Sequence, residues 1–253
     1  MAKKHLGQNF LFDPSILHRI VEVSGITSDD TVVEIGPGHG SLTRALSGAA
    51  KKVIAIEVDA ELYEKLQSEA GLPGNVELVH SDALEFPFEG LGPFKVVANI
   101  PYYITTPIIF RLIEARGNLK SMTLTIQKEV AQRIAASPHS KEYGVLTIAV
   151  QYYSSPRLEF IIPKGAFRPS PKVDSAVIRM DMRERPPAEV EDEKLFFRIV
   201  RTAFAQRRKT LANALKALAP DSRERLERAG IEPSRRAETL SIEEFARLAN
   251  AWK

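Results

Sequence analysis

Thr31-Val32-Val33-Glu34-Ile35-Gly36-Pro37-Gly38-His39-Gly40 decides how most of this chain is read. Thr31–Ile35 is rich in β-branched residues and reads as a strand. Three glycines in the next five positions give a turn in which the backbone reverses sharply and can approach a ligand where a Cβ would collide. Ser41–Leu46 then has helical periodicity. Strand, glycine turn and helix, in that order, begin a doubly wound sheet, and such sheets bind ligands beyond the carboxyl ends of their strands.

The same alternation continues outward. Val53–Glu57, Val76–Val79, Lys95–Ala98, Met122–Ile126, Val145–Tyr153 and Ala176–Met180 read as strands, and Pro14–Val23, Ala60–Glu69 and Thr106–Glu114 as helices. Helices between successive strands predict a parallel sheet covered on both faces. The later strands follow one another without a long helix, which predicts an antiparallel close. Asp13-Pro14 places an N-cap acceptor before a proline at the first helical position. Arg183–Glu193 contains Pro186-Pro187 and five acidic residues and reads as a linker. Beyond it, 195–252 is helical only, broken near Pro220, Gly230 and Pro233. The expected organisation is an α/β ligand-binding domain over 1–183, a linker over 184–193 and a small all-α domain over 194–253. Its sheet is Rossmann-like, mostly parallel with an antiparallel last strand.

Composition narrows the function classes. Of 253 residues, 44% are hydrophobic and 26% charged, as in ordinary soluble proteins. No stretch approaches the ~20 apolar residues of a membrane span, and Met1–Gly7 lacks the apolar core of a secretory signal. There is no cysteine, which excludes disulfides, thiol catalysis and thiolate metal sites and suits a cytoplasmic protein. No metal site is expected. The net charge of +3 is uneven: 194–253 holds 14 Lys+Arg against 7 Asp+Glu, leaving 21 against 25 for the remainder. A tail at +7 on a body at −4 suits docking of a polyanion on the tail.

Glu57 ends the second strand, 21 residues after Gly36. A carboxylate there can accept from both ribose hydroxyls of an adenosyl group. Together these features fit a nicotinamide dinucleotide or S-adenosylmethionine. The spacing favours the latter, because Gly36, Gly38 and Gly40 give G-x-G-x-G and the dinucleotide fingerprint would require glycine or alanine where Ser41 stands. This segment resembles the first motif of class I methyltransferases. By that resemblance Gly36, Gly38 and Glu57 hold the cofactor, and Asp82, just after the third strand, accepts from the adenine amine.

The fourth strand runs into Asn99-Ile100-Pro101-Tyr102, which resembles the N/D-P-P-Y motif of amino-methyltransferases acting on nucleobase exocyclic amines. The adenine N6 lone pair is delocalised into the ring and is a poor nucleophile. The Asn99 side-chain oxygen and the Ile100 carbonyl can accept its two N–H bonds and favour a more tetrahedral nitrogen. Pro101 restricts the backbone that aims that carbonyl. Tyr102 offers a face on which an extruded base stacks, worth about 1–3 kcal/mol.

Three further segments resemble the ribosomal RNA adenine N6,N6-dimethyltransferase family over nearly the whole chain. Leu6-Gly7-Gln8-Asn9-Phe10-Leu11-Phe12-Asp13 matches its N-terminal signature, which implies that Asn9 and Leu11, with Asn99, touch the cofactor. Phe167-Arg168-Pro169-Ser170-Pro171-Lys172-Val173-Asp174-Ser175 is similar to its F-x-P-x-P-K-V-D-S loop, which implies that Phe167 stacks on the opposite face of the base from Tyr102. Arg201–Leu215 is close to its tail pattern, and Arg201, Arg207, Arg208 and Lys209 are expected to follow RNA phosphates. The family implies S-adenosyl-L-methionine as methyl donor and dimethylation of two adjacent adenosines near the 3′ end of 16S rRNA in the small ribosomal subunit, by a monomer without membrane contact. Alternatives are a 23S rRNA adenine methyltransferase of the antibiotic-resistance type, a non-catalytic rRNA-binding assembly factor and a nicotinamide oxidoreductase. One position departs: Tyr103 stands where the family pattern N-L-P-Y-N carries asparagine.

Overall fold

In the computed structural model the described residues are 8–68 and 71–252. They form two compact units: the described residues up to Ala131 together with Pro156–Met182, and Gln132–Ser155 together with the described residues from Arg183 onward.

The first unit opens with β1 (Phe10–Leu11) and α1 (Pro14–Ser24). The Asp13 side chain accepts from Ser15 N at 2.9 Å, and Pro14 lies at the start of the helix, as the sequence predicts. Then come β2 (Thr31–Ile35), α2 (Ser41–Ser47), β3 (Lys52–Glu57), α3 (Ala60–Ser68), β4 (Val76–His80), β5 (Phe94–Asn99), α4 (Thr105–Glu114) and β6 (Leu119–Gln127). After the chain's excursion into the second unit, β7 (Ser154–Ile162), β8 (Phe167–Arg168) and β9 (Ser175–Met182) follow. The seven-stranded sheet has the order β4-β3-β2-β5-β6-β9-β7. Pairs from β4 through β6 are parallel and β9 runs antiparallel to β6. The strand order reverses between β2 and β5, with β3 and β4 added on one side and β6 on the other, so the turns after these two parallel strands face one crevice, the switch point at which open α/β sheets bind ligands. Val32, Val33, Val53, Ala55, Val96, Val97 and Leu124 are buried, as expected of strands covered on both faces.

α5 (Lys128–Ile134) begins in the first unit and ends in the second, which continues with α6 (Val145–Tyr153), α7 (Glu193–Ala205), α8 (Leu211–Leu215), α9 (Ser222–Arg228) and α10 (Ile242–Asn250). The segment Val145–Tyr153, read as a strand from its β-branched run, is a helix. A short run that is apolar on every side fits a buried helix as well as a buried strand, and periodicity alone does not separate them. Here the helix is fixed locally, with Gly144 N donating to Thr147 Oγ1 at 3.1 Å and Thr147 Oγ1 donating to Arg133 O at 2.6 Å. Tyr152 packs against Phe196, with ring centroids 5.0 Å apart, within the apolar cluster of this unit. That packing groups residues 132–155 with the C-terminal helices, so the compact units do not follow a single boundary near 183. The strand of this region begins one step later, at Ser154, and β7 tolerates Pro156 because it is the edge of the sheet.

The Arg183–Glu193 segment forms neither helix nor strand up to Asp192, but it is docked. Asn250 Nδ2 donates to Glu189 O and Glu191 N donates to Asn250 Oδ1, both at 3.0 Å. Asp192 caps α7 through Leu195 N, and Ser241 with Glu244 forms a reciprocal capping box on α10.

Candidate functional site

Four strand ends of the first unit meet around a cavity of about 330 Å³. From β2 comes the glycine turn. Gly36, Gly38 and Gly40 have φ of 71°, 59° and 74°, a left-handed conformation that side chains disfavour. A Cβ on Gly38 would lie 2.7 Å from the Phe10 ring, so position 38 also needs glycine for close approach. From β3 comes Glu57, whose carboxylate accepts from Gly38 N at 3.1 Å and from Asp59 N at 2.9 Å. These bonds fasten the turn to the neighbouring strand and still leave lone pairs on both oxygens. Burial raises the Glu57 carboxyl above its usual range, the two backbone donors oppose that, and the Asp59 charge adds to it.

Asp82, past β4, lines the cavity and accepts from Leu84 N at 2.8 Å, a local turn that fixes its side chain. β5 delivers Asn99, and Ile100, Pro101 and Tyr102 continue along the cavity wall. Asn99 Nδ2 donates to the Asn9 carbonyl at 2.9 Å. That bond uses one amide N–H and fixes the side chain, while Oδ1 can act only as an acceptor. Tyr102 Oη lies 2.7 Å from Ser175 Oγ, and burial raises the phenol's pKa, keeping it neutral.

The sequence-predicted residues Asn9, Gly36, Gly38, Glu57, Asp82, Asn99, Ile100, Pro101 and Tyr102 therefore surround one space. Leu11 and Phe167 are not among its lining residues. They face each other across the antiparallel pair β1–β8, which directs both side chains into the apolar core, at 6% and 1% exposure. An aromatic clamp of Tyr102 and Phe167 is thus corrected: the Phe167 ring offers no open face in this arrangement. Leu11 instead lines a small cavity of about 30 Å³ shared with Asn99 and Glu34. Leu6 and Gly7 of the N-terminal signature lie outside the described residues.

Arg201 is exposed on α7 of the second unit. Arg207, Arg208 and Lys209 are exposed in the tight turn after α7, closed by Lys209 N donating to Gln206 O at 2.8 Å. Arg207 has structural partners, its Nη2 donating to Lys141 O at 2.8 Å and its Nε lying 3.6 Å from Glu238.

Sequence reasoning passed over Gln8, Phe10 and Ser175, and marked Tyr103 only as a departure from the family pattern. Gln8 Nε2 donates to Asp59 Oδ2 at 3.0 Å, holding the N-terminal arm beside the cavity. Ser175 was visible only as the last letter of a motif, and nothing in its spacing indicates a Tyr102 partner.

Glu34, fully buried within β2, keeps Oε2 without a hydrogen-bond partner. Burial pushes its carboxyl from 4.5 up to about 8, with the Glu57 charge adding to the effect. The folded protein therefore keeps a proton that the unfolded chain releases above its ordinary pKa. Stability from this group is complete below that ordinary pKa and declines as pH rises toward the folded value. Glu34→Gln removes the titration, so its melting temperature relative to native protein should climb between about pH 5 and pH 8 in calorimetry. A difference that stays constant across that window would contradict the protonated carboxyl.

The cavity fits S-adenosylmethionine. Gly36 faces open space at the cavity wall, and a carboxylate fixed by two backbone donors lies at the end of β3. A doubly wound sheet with this turn and an Asn-Ile-Pro-Tyr strand end defines a class I methyltransferase. The chain belongs to the ribosomal RNA adenine dimethylase family, whose profile matches residues 1–253. It is 50% identical over 254 residues to Ribosomal RNA small subunit methyltransferase A of Clostridium botulinum (strain Loch Maree / Type A3), covering 98% of this chain and 92% of that protein. Identity to the protein of the same name from Geobacillus thermodenitrificans is 48%, covering 98% and 90%. Among solved structures, a dimethyladenosine transferase from Plasmodium falciparum superposes with a TM-score of 0.82 at 29% identity, covering 94% of this chain and 95% of that one. The 23S rRNA methyltransferase ErmE gives 0.75 at 30% identity, covering 96% and 99%. The protein is an S-adenosylmethionine-dependent rRNA adenine dimethyltransferase.

Proposed function

We propose that this protein dimethylates N6 of two adjacent adenosines near the 3′ end of 16S rRNA within the small ribosomal subunit, acting as a cytoplasmic monomer. The observation that carries the chemistry is the Asn99–Asn9 hydrogen bond, which commits the amide nitrogen and leaves Oδ1 to the substrate. The small-subunit substrate is favoured by the relatives of about 50% identity, which bear that name over nearly the full chain, against 30% for ErmE.

S-adenosylmethionine, when bound, supplies an electrophilic methyl group on a sulfonium sulfur. Glu57 would hold the ribose, Asp82 the adenine amine, and the Gly36–Gly38 backbone the space beside them. Asn9 and Asn99 line the same cavity. Asn99 Oδ1 and the Ile100 carbonyl accept the two N–H bonds of the target amine and hold its lone pair toward the cavity. Tyr102 stacks on the base, its hydroxyl anchored by Ser175. The substituted amine releases its proton to water, so no strong protein base is required. In the second unit, Arg201, Arg207, Arg208 and Lys209 would meet phosphates, positioning the RNA without reading its sequence.

Mass spectrometry of adenosines after incubating undermethylated small subunits with enzyme and methyl donor should find dimethyladenosine at two adjacent positions. Marks confined to free 23S RNA would contradict the small-subunit substrate. Ser175→Ala should lower methyl transfer about fivefold, the worth of one neutral hydrogen bond, with S-adenosylhomocysteine affinity held in calorimetry. A native rate would mean that Ser175 does not position Tyr102.

A further inference from the structure

Tyr103 is a large side chain of the site that the chemistry above does not use. It is 55% exposed, yet it lines the same cavity as Gly36, Glu57 and Asp82. Its phenol is raised in pKa by partial burial and then by the charges of Asp82 and Glu57, which line the same cavity. Tyr102 and Tyr103 open a 3₁₀ turn, Tyr102–Ile104. At three residues per turn, successive side chains leave the axis about 120° apart, so the two rings point in different directions from one cavity wall. Tyr102 Oη is held by Ser175 Oγ, and Tyr103 shares the cavity with Glu57 and Asp82.

We infer that Tyr103 covers the nucleoside half of the methyl donor, its ring stacking on the adenine and its hydroxyl beside the carboxylates, so that the residue after the catalytic tetrapeptide binds cofactor rather than RNA. The inference rests on the proposed assignment of Glu57 to the ribose and Asp82 to the adenine. A half-exposed aromatic ring at a cavity mouth gains from covering a flat ligand, since both lose apolar contact with water. The asparagine of the family pattern could hydrogen-bond at this place but could not stack.

The test is calorimetric titration of S-adenosylhomocysteine into native protein and into Tyr103→Ala, Tyr103→Asn and Tyr103→Phe, with filter binding of an rRNA fragment in parallel. Loss of one stacking partner should raise the S-adenosylhomocysteine Kd about tenfold in the Ala and Asn variants. Tyr103→Phe, which keeps the ring, should stay within about threefold of native, and RNA affinity within about twofold in all three. Native-like S-adenosylhomocysteine affinity in Tyr103→Ala overturns the inference alone. Weakened RNA binding with unchanged cofactor binding does the same and assigns Tyr103 to the substrate. Native protein that fails to bind S-adenosylhomocysteine overturns the underlying assignment and this inference with it.

Discussion

Asn99→Ala is expected to lower kcat for methyl transfer by about 10²–10³-fold while changing S-adenosylhomocysteine affinity by less than about threefold. The asymmetry follows from the geometry. Asn99 Nδ2 is bound to the Asn9 carbonyl, so the side-chain oxygen is the group left to meet the amine. Alanine removes that acceptor where the nitrogen must be held for attack, and the loss falls on the reacting state. Glu57 is unaffected, because Gly38 N and Asp59 N fix it without help from Asn99. Single-turnover rates with isothermal titration separate the two effects. Equal losses of rate and cofactor affinity would show that Asn99 is chiefly a strut for the N-terminal arm.

The second large effect is expected on RNA. Replacing Arg207, Arg208 and Lys209 together with alanine should weaken rRNA binding about 10–100-fold at low salt and flatten the slope of log K against log[salt] by about 2. Each lost phosphate contact contributes about 0.7–0.9 to that slope. The triple variant also removes the Arg207 bond to Lys141 O and its approach to Glu238. The Arg208→Ala, Lys209→Ala pair isolates the charge effect and should give about two-thirds of the slope change. Filter binding over a salt series measures it, and an unchanged slope would move the RNA surface elsewhere.

Much of the site was legible because its residues are constrained by backbone geometry. Gly36, Gly38 and Gly40 have left-handed φ, and Glu57 and Asn99 close their strands, so local sequence announces each of them. That β2 to β6 are parallel followed from strands alternating with helices; their order across the sheet did not. What was not legible depends on contacts between distant segments. Phe167 beside a proline-rich loop reads equally as a stacking ring or as core, and only its pairing with Leu11 decides for core. Val145–Tyr153 has strand composition throughout and becomes helix because it is enclosed by other apolar residues. Ser175 and Gln8 have ordinary neighbours in sequence; their roles appear only when Tyr102 and Asp59 are brought to them.

The most direct measurement is a crystal structure of the protein with S-adenosylhomocysteine and an adenosine nucleotide. The prediction places the adenosine N6 about 3 Å from both Asn99 Oδ1 and the Ile100 carbonyl, on the side facing the cofactor sulfur. A target amine bound away from Asn99, or Asn99 Oδ1 turned to a protein donor in the ternary complex, would contradict it.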